Sequence, residues 1–127
     1  MEKRILSTAA VFGIVAIILG AFGAHALKDV LETQQLSTFE TGVRYQMYNA
    51  LFLFFVGSSN HISDKARRVI FYLVVIGVLF FSGSIYLLAI DSLISFDAKS
   101  IGFITPIGGL LLIVGWIWLF IDFNNKK

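Results

Sequence analysis

Four apolar stretches divide the chain, at about 5–26, 39–59, 69–90 and 104–123. Each has roughly the 20 residues that an α-helix needs to cross a hydrocarbon layer of about 30 Å. Barrel strands would alternate apolar and polar positions with period two, and these stretches do not. The pattern predicts an all-α, integral membrane four-helix bundle with antiparallel neighbours, forming a single membrane domain over 1–127.

Polar punctuation supports these spans. Ser37 with Glu40 has capping-box spacing for the second helix. Thr105-Pro106 reads as a cap followed by a first-turn proline for the fourth. Between helices one and two, Leu27, Val30 and Leu31 stand among charges, a spacing open to an interfacial amphipathic helix or a plain linker.

Composition decides what solvent surrounds these helices. Hydrophobic residues make up 57% of the 127, and charged residues only 14%. Soluble domains carry about 25% charged residues, and one this small could not bury so much apolar surface. The partner of that surface is the lipid bilayer. A net charge of +2 is too weak to point to nucleic acid. With no cysteine there is no disulfide framework, thiolate nucleophile or thiolate metal site.

The basic residues instead carry orientation. Lys3, Arg4, Lys65, Arg67, Arg68, Lys126 and Lys127 fall on one side of a four-span chain, and only Lys28 and Lys99 in the opposite loops. Seven against two predicts both N- and C-termini in the cytoplasm. Met1 to Arg4 and Ala24-His25-Ala26 resemble the flanks of a signal peptide, but the run between them exceeds the usual 7–15 residues.

Small residues form candidate packing positions: Gly13, Ala16, Gly20, Gly23 and Ala24 in helix one, Gly83 in helix three, Gly108 and Gly109 in helix four. Small side chains at such spacings let helix backbones approach closely, within one bundle or between copies in a homo-oligomer.

Antiparallel packing brings four separately encoded polar patches to one half of the membrane. These are His25 at the end of helix one; Glu40, Arg44, Tyr45, Gln46 and Asn49 on helix two; Ser82, Ser84 and Tyr86 on helix three; and Thr105 on helix four. Glu40 and Arg44, four apart with the acid first, are spaced for a helical ion pair. Asn49 lies about 15 Å along the helix axis from Phe39, near the midplane, where its amide needs a partner on another helix. Ser82, Ser84, Tyr86 and Thr105 are the candidates. Two roles compete for the cluster: holding four helices in register, or lining an outward-facing pocket for an ion, lipid head group or small solute.

Little else suggests chemistry. His25 and His61 fall on opposite sides and cannot share a metal. There is no phosphate loop, nucleophile elbow or HExxH, and no nucleophile or oxyanion donor accompanies His25 or Glu40. No enzyme, catalytic residue, metal or other cofactor is expected.

Four motifs also carry a resemblance: Gly20-Ala21-Phe22-Gly23-Ala24-His25-Ala26-Leu27, Thr41-Gly42-Val43-Arg44-Tyr45-Gln46-Met47-Tyr48, Phe81-Ser82-Gly83-Ser84-Ile85-Tyr86, and Ile104-Thr105-Pro106-Ile107-Gly108-Gly109 with Gly115-Trp116. In this order, over nearly the whole chain, they resemble the small multi-pass family called domain of unknown function 423, with relatives described as transmembrane protein 256-like. The resemblance implies four helices in the bacterial plasma membrane, a first helix kept in the mature protein, and no established activity. It also implies a histidine where this chain has Asn49, which puts a metal or proton-relay role there in doubt and leaves a hydrogen-bonding one. The expected function is structural or accessory in the cell membrane, with protein partners unknown; the alternative is a small transporter or binding protein using the outer polar pocket.

Overall fold

The computed structural model describes residues 1–94 and 97–125. Among them are four long helices and no strand: α1 Glu2–Ala24, α2 Thr33–Ser58, α3 Asp64–Ile90 and α4 Ile104–Asn124. Short 3-10 turns at Leu27–Asp29 and Ala98–Ile101 interrupt the connections. Lys126 and Lys127, part of the expected basic side, lie outside the described residues.

Three helices extend beyond their apolar runs, because hydropathy marks the lipid boundary and not the helix end. The cap of α2 is Glu32, not Ser37. Gln35 accepts the Glu32 backbone N–H at 3.1 Å, closing the capping box one turn earlier than expected. The turn Thr33–Leu36 is polar, but its two glutamines are good helix formers. Ser63 caps α3, its hydroxyl accepting the Ala66 N–H at 3.2 Å. Thr105 is not the cap of α4; that position is Phe103, and Thr105 already lies in the helix. Pro106 is in the first turn, where a missing N–H breaks no helical bond. The α1–α2 connection buries Leu27 and Leu31 beside Phe39 and Ala89, while Val30 is exposed. It is a plugged linker, not an interfacial helix.

Each helix packs on its neighbours in sequence: α1 on α2, α2 on α3, α3 on α4. The core of Ile5, Leu53, Val56, Ile70, Val74, Leu112 and Leu119 runs through all four. Glycine sets the closest approaches. A Cβ on Gly108 would collide with the backbone of Phe80 and Phe81, and one on Gly77 would come 2.7 Å from Leu112 Cδ2. Gly42 and Gly57 admit Tyr86 and Leu6 to within 2.7 and 2.9 Å of the same notional atom. On α1, Ala16, Gly20 and Gly23 do face α2. Ala24 is exposed, having turned off that face, and a Cβ on Gly13 or Gly83 would meet nothing within 4 Å. These three are not packing positions. Gly109 makes only ordinary contact with Phe81, at 3.4 Å.

The outward surface is apolar, with Ile14, Ile17, Ile18, Leu110, Ile113 and Phe120 all exposed. Three of the helices are long and apolar enough to cross a membrane: those within Glu2–Asp29, Asp64–Ile90 and Lys99–Asn124. The exception is α2, which carries Glu40, Arg44, Gln46 and Asn49. It lies between α1 and α3, and that packing buries Gln46 and Asn49 while Glu40 and Arg44 stay exposed.

Candidate functional site

The buried face of α2 is the stripe Phe39, Gly42, Gln46, Asn49, Leu53, Val56, spaced by threes and fours. Gln46, 5% exposed, is the centre of the polar arrangement. Its Nε2 donates to the Phe12 carbonyl of α1 at 2.9 Å, and its Oε1 accepts from the Tyr86 hydroxyl of α3 at 2.6 Å. One amide thus bonds to two other helices. One turn away the Ser82 hydroxyl donates to the Gly42 carbonyl at 2.8 Å, a bond helped by the missing side chain on Gly42. Toward α4, the Ser84 hydroxyl donates to Phe81 O at 3.1 Å, and its oxygen pairs with the Thr105 hydroxyl.

Asn49 behaves differently from expectation. Its Nδ2 donates to Tyr45 O in its own helix at 2.8 Å, not to another helix. Its Oδ1 is buried without a partner. The candidate donors are spent elsewhere: Ser82 on Gly42, Tyr86 on Gln46, and Ser84 with Thr105.

The remaining predicted residues lie outside. His25, Glu40, Arg44 and Tyr45 are exposed, and no ion pair joins Glu40 to Arg44 among the described residues. Spacing of four put both on one face, as expected, but it is the face opposite the buried stripe. The outward-facing pocket built from His25, Glu40, Arg44, Asn49 and Tyr86 is therefore not assembled. Among the described residues no three histidine or acidic side chains gather into a metal-holding group.

A different concavity does involve Asn49. A groove of about 620 Å³ runs between α2 and α4 with Phe81 of α3 at its wall, lined also by Tyr45, Tyr48, Leu112 and Trp116. The Tyr45 ring meets Tyr48 and Phe81 edge-on, at 5.4 and 5.3 Å between centroids. Trp116 stacks on Phe52 at 3.9 Å.

Sequence reasoning missed Arg67, grouping it with the orientation charges. It is 5% exposed. Its Nε donates to Val56 O at 3.2 Å, and Nη2 to Ser59 O and Ile62 O at 2.7 and 3.2 Å. These are carbonyls at the α2 terminus and in the following turn, groups a helix end leaves unpaired. Nη1 reaches Asp64 at 2.8 Å and Glu2 at 3.5 Å. The signal was available in register: Arg67, Ile70, Val74 and Val78 follow the buried stripe of α3. Nearby, Asp122 of α4 accepts from the Ser63 N–H and hydroxyl at 3.0 and 2.6 Å.

Residues 19–109 match the family described as protein of unknown function (DUF423). A UPF0382 membrane protein of Haemophilus influenzae is 39% identical, covering 100% of this chain and 99% of its own length. The UPF0382 membrane protein YwdK of Bacillus subtilis is 34% identical over 92% of this chain and 93% of its own. The UPF0382 inner membrane protein YgdD of Escherichia coli is 31% identical over 99% and 93%. No solved structure matches the chain. With its apolar helices, its motif order and relatives over its whole length, the chain belongs to the DUF423 family of membrane proteins.

Proposed function

We propose that this protein is a non-enzymatic, structural or accessory component of the bacterial plasma membrane, whose interior polar groups hold its helices in register. The observation that carries the proposal is the Gln46 amide, bonded to α1 on one side and α3 on the other. Ser82, Ser84 and Thr105 are likewise committed to helix carbonyls or to each other. Groups so engaged act as fasteners and not as acids, bases or nucleophiles. The basic residues at the end holding Glu2, the α2–α3 turn and Asp122 support a topology with both termini in the cytoplasm. An impermeant thiol reagent added outside cells checks this by labelling Ser100→Cys and sparing Lys65→Cys.

The exposed charges test the proposal from the other direction. Glu40→Gln with Arg44→Met removes both from a surface where neither has an ion-pair partner among the described residues. Unfolding in detergent is expected to stay within about 0.5 kcal/mol of the parent, as for surface changes generally. A loss of several kcal/mol would place the stabilising polar contacts at these residues instead of at Gln46.

A further inference from the structure

We propose that the groove between α2 and α4 is a binding site, entered sideways from the bilayer, for a neutral lipid-soluble phenol or quinol. The starting point is the side-chain carbonyl oxygen of Asn49, a residue 4% exposed; that oxygen, unlike the amide nitrogen beside it, has no hydrogen-bond partner among the described residues. The large majority of buried side-chain polar atoms have a hydrogen-bond partner, so an orphan acceptor asks for a donor. An amide oxygen only accepts, so the ligand must bring an O–H or N–H. The groove that Asn49 lines, at about 620 Å³, has the volume of an ordinary small-molecule site.

Its walls specify the rest of the ligand. Tyr45, Tyr48, Phe81 and Trp116 present ring faces and edges, a setting that favours a flat aromatic body. Among the described residues no charged one lines the groove. Depth argues the same way. Asn49 lies about 13 Å from the nearer end of α2, and Leu112 about 12 Å from the nearer end of α4, at 1.5 Å per residue. A charged head group is costly at that level of a bilayer, whereas a protonated phenol partitions there readily. Another copy of this chain would present an exterior mostly of Ile, Leu, Val and Phe, whose side chains bring no donor; among its exposed large apolar residues only Tyr and Trp carry one. Less than 1 Å² of the oxygen is exposed, so a donor reaches it when a rim side chain swings aside. Tyr45 and Tyr48, 40% and 51% exposed, form that rim.

The test uses the full chain in detergent micelles, carrying Trp118→Phe so that Trp116 is the sole indole. The probes are 4-octylphenol and its O-methyl ether, in which a methyl group replaces the hydroxyl proton and the donor is lost. Trp116 fluorescence is expected to respond saturably to the phenol, and to the ether at least tenfold more weakly. Asn49→Leu should make the two probes equivalent. Tyr48→Ala, at an exposed position with little effect on folding, should weaken the phenol severalfold. No saturable response, equal affinities in the parent, or indifference to Tyr48→Ala would each overturn the site. So would crosslinking of Leu51→Cys between two copies that excess phenol fails to reduce, since a second copy would then own the groove.

Discussion

Alanine at position 108 is expected to destabilise the bundle by about 3 kcal/mol, the upper part of the range for overpacking. The obstacle is backbone, not a flexible side chain. The added methyl group would sit 2.8 Å from the Phe80 carbonyl carbon and closer still to the Phe81 nitrogen. Relief requires α3 and α4 to separate, which also pulls Leu112 away from Gly77 and strains the Ser84–Thr105 contact. Gly13→Ala and Gly83→Ala are the controls. Both positions are helical and open, so alanine there should be neutral or gain up to about 1 kcal/mol from helix propensity. Equilibrium unfolding in mixed micelles reads all three. Equal losses at 13, 83 and 108 would mean that backbone approach at Gly108 is not what joins these helices.

The second large effect is expected at Arg67. Arg67→Met keeps the apolar stem and removes the donors to Val56, Ser59 and Ile62. A buried carbonyl left without its partner costs about 1–3 kcal/mol. Water entering at the membrane edge recovers part of this, so the net loss should be about 2–4 kcal/mol by the same unfolding measurement. The acids around Arg67 contribute far less. The side chains of Glu2 and Asp64 are 61% and 93% exposed, and exposed pairs add about 0–1 kcal/mol. Glu2→Gln and Asp64→Asn should therefore be nearly silent. If they matched Arg67→Met, the residue would be acting as an ion-pair partner and not as a clamp on the α2 terminus.

The contrast between these residues shows what the sequence could tell. Long apolar runs announced the helices, because length and the absence of alternation suffice for that. Their ends were harder to place, since Thr33–Leu36 and Asp64–Arg68 are polar turns that continue helices past the lipid boundary. Which way each face points was harder still. In a soluble protein apolar residues mark the inside, but here lipid-facing and core-facing positions are both apolar. The informative residues were the small and polar ones that recur at helical spacing. Gly42, Gln46 and Asn49 identify the inner face of α2, and that face excludes Glu40 and Arg44. Six of the predicted polar residues, Gln46, Asn49, Ser82, Ser84, Tyr86 and Thr105, lie buried or half-buried. His25, Glu40, Arg44 and Tyr45 share their half of the bundle but not its interior. Position along the helix axis was legible; rotation about it was not, except through the α2 stripe.

Gln46 fastens α2 to α3 through Tyr86, and a double-mutant cycle reads that bond. Unfolding free energies of the parent, Gln46→Leu, Tyr86→Phe and the double variant isolate the coupling between the two side chains. Membrane hydrogen bonds average about 0.6 kcal/mol and reach about 1.7. A coupling within that interval is the predicted result, with the double variant less damaged than the sum of the singles. Strict additivity of the two losses would mean that no Gln46–Tyr86 bond joins the helices.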